Sequence, residues 1–163
     1  IGFLMHDSML YSGLTAFENL RFYARLYGVN PIEDRINEVI EIMGVQDMKN
    51  IQISKMSHGQ KKRFSIARAI LHKPEILLMD EPETGLDSEG VIRLKKIISV
   101  IGEESLGTSL IATHNLDFAF GISDKIMFLS KGRLVGINSK DTMSLGDFKD
   151  SYSDLLTQDT LDA

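Results

Sequence analysis

Ile76-Leu77-Leu78-Met79-Asp80-Glu81-Pro82 is an apolar run that ends in paired carboxylates. Ile76 to Met79 shows no alternation of polar and apolar residues, so it reads as a strand buried on both faces. Asp80 and Glu81 then fall at the carboxyl end of that strand, where open α/β sheets bind ligands.

Ser109 to Ala112 reads as a second buried strand, and Ile1 to Met5 as a third. Between the first two, Ser88 opens a helix with Val91, Leu94, Ile97, Ile98 and Ile101 inward. Asp117 to Gly121 is a short helix. Lys125–Leu129 and Arg133–Ile137, joined by Ser130-Lys131-Gly132, read as a hairpin. After Asp141 the pattern weakens into an acidic, marginally helical tail. Strand alternating with helix over 75–140 is the signature of a parallel sheet with helices on its faces.

Upstream the chain is helical. Thr15 is a candidate N-cap with Glu18 as its capping-box partner, and that helix stops at Gly28 with Leu20, Tyr23, Ala24 and Tyr27 on one face. Pro31 suits a first helical turn, Ile32, Ile36, Val39, Ile40 and Met43 follow at helical spacing, and Gly44 ends the helix. Gln46 to Lys55 is less regular. Ser57 caps a third helix to about Leu71, and Lys73-Pro74 breaks it. The expected organisation is a core of 1–6 and 75–140, a helical insertion over 7–73 and a tail over 141–163.

Composition sets the outer limits. With 163 residues, 43% hydrophobic and 25% charged, the chain has the make-up of an ordinary globular domain. A net charge of −5 argues against nucleic-acid binding by bulk electrostatics. No cysteine is present, which excludes disulfides and thiolate metal sites. No apolar run approaches the ~18 residues of a bilayer span. The start at Ile1 looks like the middle of a strand, and the phosphate loop G-x-x-x-x-G-K-[ST] does not occur, so the expected fold is incomplete at its N-terminus.

Asp80 can hold Mg²⁺ through water, because Mg²⁺ prefers few carboxylates and many waters. Glu81 can then orient or deprotonate an attacking water. Ser57-His58-Gly59-Gln60 opens a helix, where backbone N–H groups attract phosphate, the serine hydroxyl adds a donor and Gly59 allows close approach. His114 follows the strand Leu110-Ile111-Ala112 at the same sheet edge and can hydrogen-bond a terminal phosphate; His6 occupies the same kind of place after the first strand. Taken singly, each segment also fits a plain structural role: an acidic turn, an N-cap, a structural histidine. Thr84-Gly85-Leu86-Asp87 alone is a turn, and Lys61, Lys62 and Arg63 alone read as a solvated basic face.

In combination the segments resemble the nucleotide-binding domain of ABC ATPases, over roughly 1–140. Ser57-His58-Gly59-Gln60 matches the family signature, Ile76 to Glu81 the Walker B strand, Thr84 to Asp87 the D-loop and His114 the switch histidine. Ser123-Asp124-Lys125-Ile126 and Lys131-Gly132-Arg133 match the stretch that follows. The resemblance implies an α/β fold of P-loop NTPase type, with a parallel sheet and an inserted helical subdomain. It also implies a head-to-tail dimer that sandwiches ATP with Mg²⁺. Carried over, Ser57, His58, Gly59 and Gln60 contact the partner's nucleotide, Asp87 lies at the dimer seam, Asp80 serves the metal, Glu81 is the general base and His114 senses the γ-phosphate. His6 stands at the family's Q-loop glutamine and is the second candidate metal contact; His58 replaces the first signature glycine.

The implied partners are a second ABC domain and a transmembrane permease subunit, at the cytoplasmic face of the membrane, without nucleic acid. Gly13 to Gly28, preceded by His6, looks like the ABC-2 type exporter ATPases, with the haem-exporter subunit as one example. The expected activity is ATP hydrolysis that powers an exporter. A soluble ABC ATPase and a non-catalytic fragment are the alternatives. The isolated chain is expected to be inactive and poorly soluble, because a sheet short of neighbours exposes edges and apolar faces.

Overall fold

The computed structural model describes residues 1–104 and 107–161. The chain forms two compact units, Ile1–Ala112 and Thr113–Ala163. In the first, β1 (Gly2–Leu4), β2 (Ile76–Asp80) and β3 (Thr108–Ala112) make a parallel sheet in that order. Phe3 and Leu110 both lie opposite Leu78, so these three side chains share a face.

That face corrects one expectation. The strands are not buried on both sides: Leu4, Leu77 and Met79 are buried, while Phe3, Ile76 and Leu110 are 42%, 41% and 51% exposed. An unbroken apolar run requires that both faces be apolar. It does not require that this chain itself cover both. Helix α3 (His58–Ile70) packs against β1 and α4 (Ser88–Glu104) against β3.

The remaining helices of this unit, α1 (Ala16–Leu26) and α2 (Ile32–Met43), begin and end where local chemistry dictates. The Thr15 hydroxyl accepts from the Glu18 N–H and the Glu18 carboxylate accepts from the Thr15 N–H at 2.8 Å, a reciprocal cap. Gly44 closes α2 in a left-handed conformation at φ 66°. Leu20, Ala24, Ile36, Val39, Ile40, Met43 and Phe64 form the buried seam among α1, α2 and α3. Buried Asn19 ties the preceding loop to α1: its amide donates to the carbonyls of Tyr11 and Thr15 and its oxygen accepts from the Tyr11 N–H. In α4, Leu94, Ile97 and Ile98 are buried as expected; Ile101's side chain lies outside the described residues.

The second unit holds α5 (Leu116–Ile122), the antiparallel pair β4 (Lys125–Ser130) and β5 (Arg133–Ser139), and α6 (Leu145–Leu161). The tail is more regular than its sequence implied, although residues 162 and 163 lie outside the described part. Ser144 and Asp147 cap α6 reciprocally, and Phe148, 1% exposed, stacks on Phe128 and packs against Phe120. A weak helical pattern becomes a stable helix once one aromatic side chain has a partner surface. Among the described residues, no helix is long and apolar enough to cross a membrane.

Candidate functional site

β2 delivers Asp80 and Glu81 to the sheet edge, and the chain turns sharply there. Asp80 pairs with Ala112 across the sheet and is exposed. Glu81 has φ 45°, the left-handed region that non-glycine residues rarely adopt. Such a residue persists only where its surroundings over-determine it. Here the Glu81 N–H donates to the Ala112 carbonyl at 2.9 Å, and its own carbonyl accepts from the Thr84 N–H at 3.2 Å and the Lys62 Nζ at 2.9 Å. The Thr84 hydroxyl donates to Glu81 Oε2 at 3.2 Å. The carboxylate is thus aimed by a strained backbone that is tied at several points.

Ser57 caps α3 as its position in the sequence suggested. Its hydroxyl accepts from the Gln60 N–H at 3.3 Å and the Gln60 amide oxygen accepts from the Ser57 N–H at 2.9 Å. Gly59 has a reason for being glycine that lies within this chain. A Cβ there would stand 2.8 Å from the Gly85 carbonyl oxygen, so the first turn of α3 rests directly on the turn that follows Glu81. Gly85 itself sits at φ 80° beneath the imidazole of His58. The structure therefore brings Ser57, His58, Gly59 and Gln60 together with Glu81 and the Thr84–Asp87 turn.

Two basic residues expected on a solvated face are not there. Lys62 is 5% exposed and points under the β2 end. Burial pushes its ammonium below the usual lysine range, while the carboxylates of Glu83, Asp80 and Glu81 oppose that shift. Arg63 donates to the Met43 carbonyl at 3.1 Å and to Asp87 Oδ1 at 2.6 Å. Lys62 shares the inward face of α3 with Ser65, Ile66 and Ala69, all buried; that spacing was the available signal. Asp87 is more than a turn residue: its Oδ1 also accepts from the Gly90 N–H at 2.9 Å and so caps α4. That bond and the Arg63 guanidinium hold its carboxyl below the usual aspartate range.

His6 lies exposed in the loop after β1. His114 is exposed just ahead of α5 in the second unit, where Asn115 caps the helix by accepting from the Phe118 N–H. Among the described residues, no group of three or more His, Cys, Asp or Glu gathers to hold a metal. Asp80 alone fits Mg²⁺, which keeps most of its waters; the imidazole of His6 suits that ion poorly.

The chain is similar to known proteins in sequence and in fold. Residues 1–84 match the family model described as ABC transporter. The chain is 36% identical over 135 residues to the bacitracin transport ATP-binding protein BcrA of Bacillus licheniformis, over 83% of this chain and 44% of that protein. It is 36% identical over 137 residues to the methionine import ATP-binding protein MetN 1 of Listeria monocytogenes, over 83% of this chain and 40% of that protein. Among solved structures, the dimeric post-hydrolysis state of the ATP-binding cassette MJ0796 bound to ADP and Pi superposes with a TM-score of 0.78 at 26% identity, over 85% of this chain and 62% of that chain. The chain thus spans less than half the length of these curated relatives.

Proposed function

We propose that this chain, which belongs to the ABC transporter family, is part of an ATP-hydrolysing subunit that powers a membrane exporter. The observation that carries the reading is Glu81, a carboxylate held in a strained backbone at the sheet edge beside the capped N-terminus of α3. A general base needs that kind of fixed aim.

In this reading Glu81 takes a proton from the water that attacks the terminal phosphate. Ser57, His58, Gly59 and Gln60 present the start of α3 to the nucleotide of a second ABC domain, and Asp87 lies at the seam of that head-to-tail dimer. His114 donates to the γ-phosphate. Asp80 would hold Mg²⁺, which would supply charge neutralisation at the phosphates. His6, at the Q-loop position, approaches the same region. The division into a core of 1–6 and 75–140, a helical part of 7–73 and a tail of 141–163 then assigns the helical part to a transmembrane permease subunit. The subunit would sit peripherally at the cytoplasmic face of the membrane.

Export is supported by the Gly13–Gly28 pattern, and a role in transport by the bacitracin transport relative. The methionine import relative, at equal identity, supports import as the second reading. Uptake and efflux assays with the cognate permease separate the two. The catalytic reading is tested by Glu81→Gln in the complete protein. ATP turnover should vanish while ATP binding persists and the dimer becomes long-lived; turnover at the wild-type rate removes Glu81 as the base.

A further inference from the structure

Lys62 lies near the carboxylate pair, and its burial has no use in the reading above. A lysine under a turn is an expensive way to fill space, because burying an ammonium costs far more than burying a methyl group. An apolar residue of the same length would pack there at lower cost. What the ammonium adds is a donor aimed at one atom: Nζ lies 2.9 Å from the Glu81 carbonyl oxygen. That carbonyl belongs to the residue with the left-handed backbone, and its other partner is the Thr84 N–H within the same turn. Lys62 is therefore the side chain through which α3 grips the Glu81 peptide. Gly59 against Gly85 and Arg63 against Asp87 are the neighbouring points of the same interface.

We propose that Lys62 is a positioning residue for Glu81: its ammonium, anchored in α3, holds the Glu81 carbonyl and thereby fixes the direction of the Glu81 carboxylate. The inference rests on the reading of Glu81 as general base. It has a consequence for the dimer. The helix whose N-terminus meets the partner's nucleotide is then bonded to the base that serves the chain's own nucleotide. A shift of α3 on engaging one ATP would be felt at the other.

The test uses the purified full-length protein with its partner domain, and three variants. Lys62→Met keeps an unbranched side chain, one atom shorter, and removes the donor. Lys62→Gln restores a neutral donor. Glu81→Gln reports on the base itself. Misaiming a reacting group by about 1 Å costs on the order of 10²-fold. We therefore expect kcat for ATP to fall between tenfold and a hundredfold in Lys62→Met, with KM and ATP-driven dimerisation within about twofold of wild type. Lys62→Gln should recover most of that loss. A kcat within twofold of wild type in Lys62→Met overturns the proposal, as does a fall that Lys62→Gln leaves unrepaired. If Lys62→Met does not fold, Lys62→Gln decides: a folded, active glutamine variant supports the tether, and loss of folding in both overturns it in favour of a purely structural role. Retained turnover in Glu81→Gln identifies the failure as that of the catalytic reading instead.

Discussion

Gly59→Ala isolates the contact between the first turn of α3 and the turn after Glu81. Two effects oppose each other. Alanine is the better helix residue, worth about 0.5–1 kcal/mol over glycine in a helix. Against it stands geometry: the new Cβ would lie 2.8 Å from the Gly85 carbonyl oxygen, and that atom is backbone, so it cannot rotate away. Overpacking of this kind costs typically about 1–3 kcal/mol. The steric term is the larger, so the variant should lose about 1 kcal/mol, or about 2–4 °C in Tm for a domain of this size. Gly13→Ala is the matched control, because a Cβ there meets nothing within 4 Å. It should be neutral or stabilising by a few tenths of a kcal/mol. Thermal unfolding followed by circular dichroism reads both. A Gly59→Ala protein as stable as Gly13→Ala would refute the close approach. Because the displaced turn also carries Glu81 and Thr84, the proposed function predicts that the same substitution in the complete protein lowers ATP turnover by more than its loss of stability explains.

Gly85→Ala should destabilise by roughly 1–2 kcal/mol from its left-handed backbone alone. The imidazole of His58 adds a clash, so Gly85→Ala with His58→Ala should recover part of the loss in a double-mutant cycle, and full recovery would show the backbone term to be absent. Phe148→Ala should cost about 3–5 kcal/mol of the second unit's stability, read as early loss of amide protection in α6 by hydrogen exchange; unchanged protection would mean that the stack on Phe128 does not hold the helix. Glu18, Asp87 and Asp147 all have carboxyls held below their ordinary values, 4.5 for Glu18 and 3.8 for the aspartates. A folded-state value below the unfolded one contributes stability that is full above the unfolded pKa and is lost as pH falls through the folded value. The contribution of these three carboxyls should therefore be level above about pH 5 and be lost below about pH 4.5, and Asp87→Asn should flatten part of that acid limb.

Local chemistry was legible in the chain wherever a residue's partners sit within a few positions of it. The capping box of Thr15 with Glu18 spans three residues and forms as read, and Ser57 caps α3 as read, with Gln60 completing a box that the structure adds. The glycine stop of α2, the helical spacing of Ile36, Val39, Ile40 and Met43, and the hairpin of β4 and β5 are of the same kind. So is the placement of Asp80 and Glu81, because a strand's end is a local event. Family membership was legible for a related reason: it resides in short segments whose order the sequence displays directly.

Burial was not legible in that way. The run Ile76–Met79 stated that both faces of the strand are apolar, and only the packing of α3 and α4 decided which face is covered. Lys61, Lys62 and Arg63 look equivalent as adjacent cations, yet Lys62 binds the Glu81 carbonyl nineteen positions away and Arg63 binds Asp87. Gly59 reads as an opening for phosphate until the Gly85 carbonyl is found against it. The difference is physical. Hydrogen bonds within a turn are set by backbone geometry that the residues themselves specify, whereas the cost of burying a charge depends on what lies across the interface. The sequence alone determined the elements, their order and the residue types at the carboxylate edge. Tertiary packing decided which of them touch, because only in the folded chain do α3 and the turn after β2 share one surface.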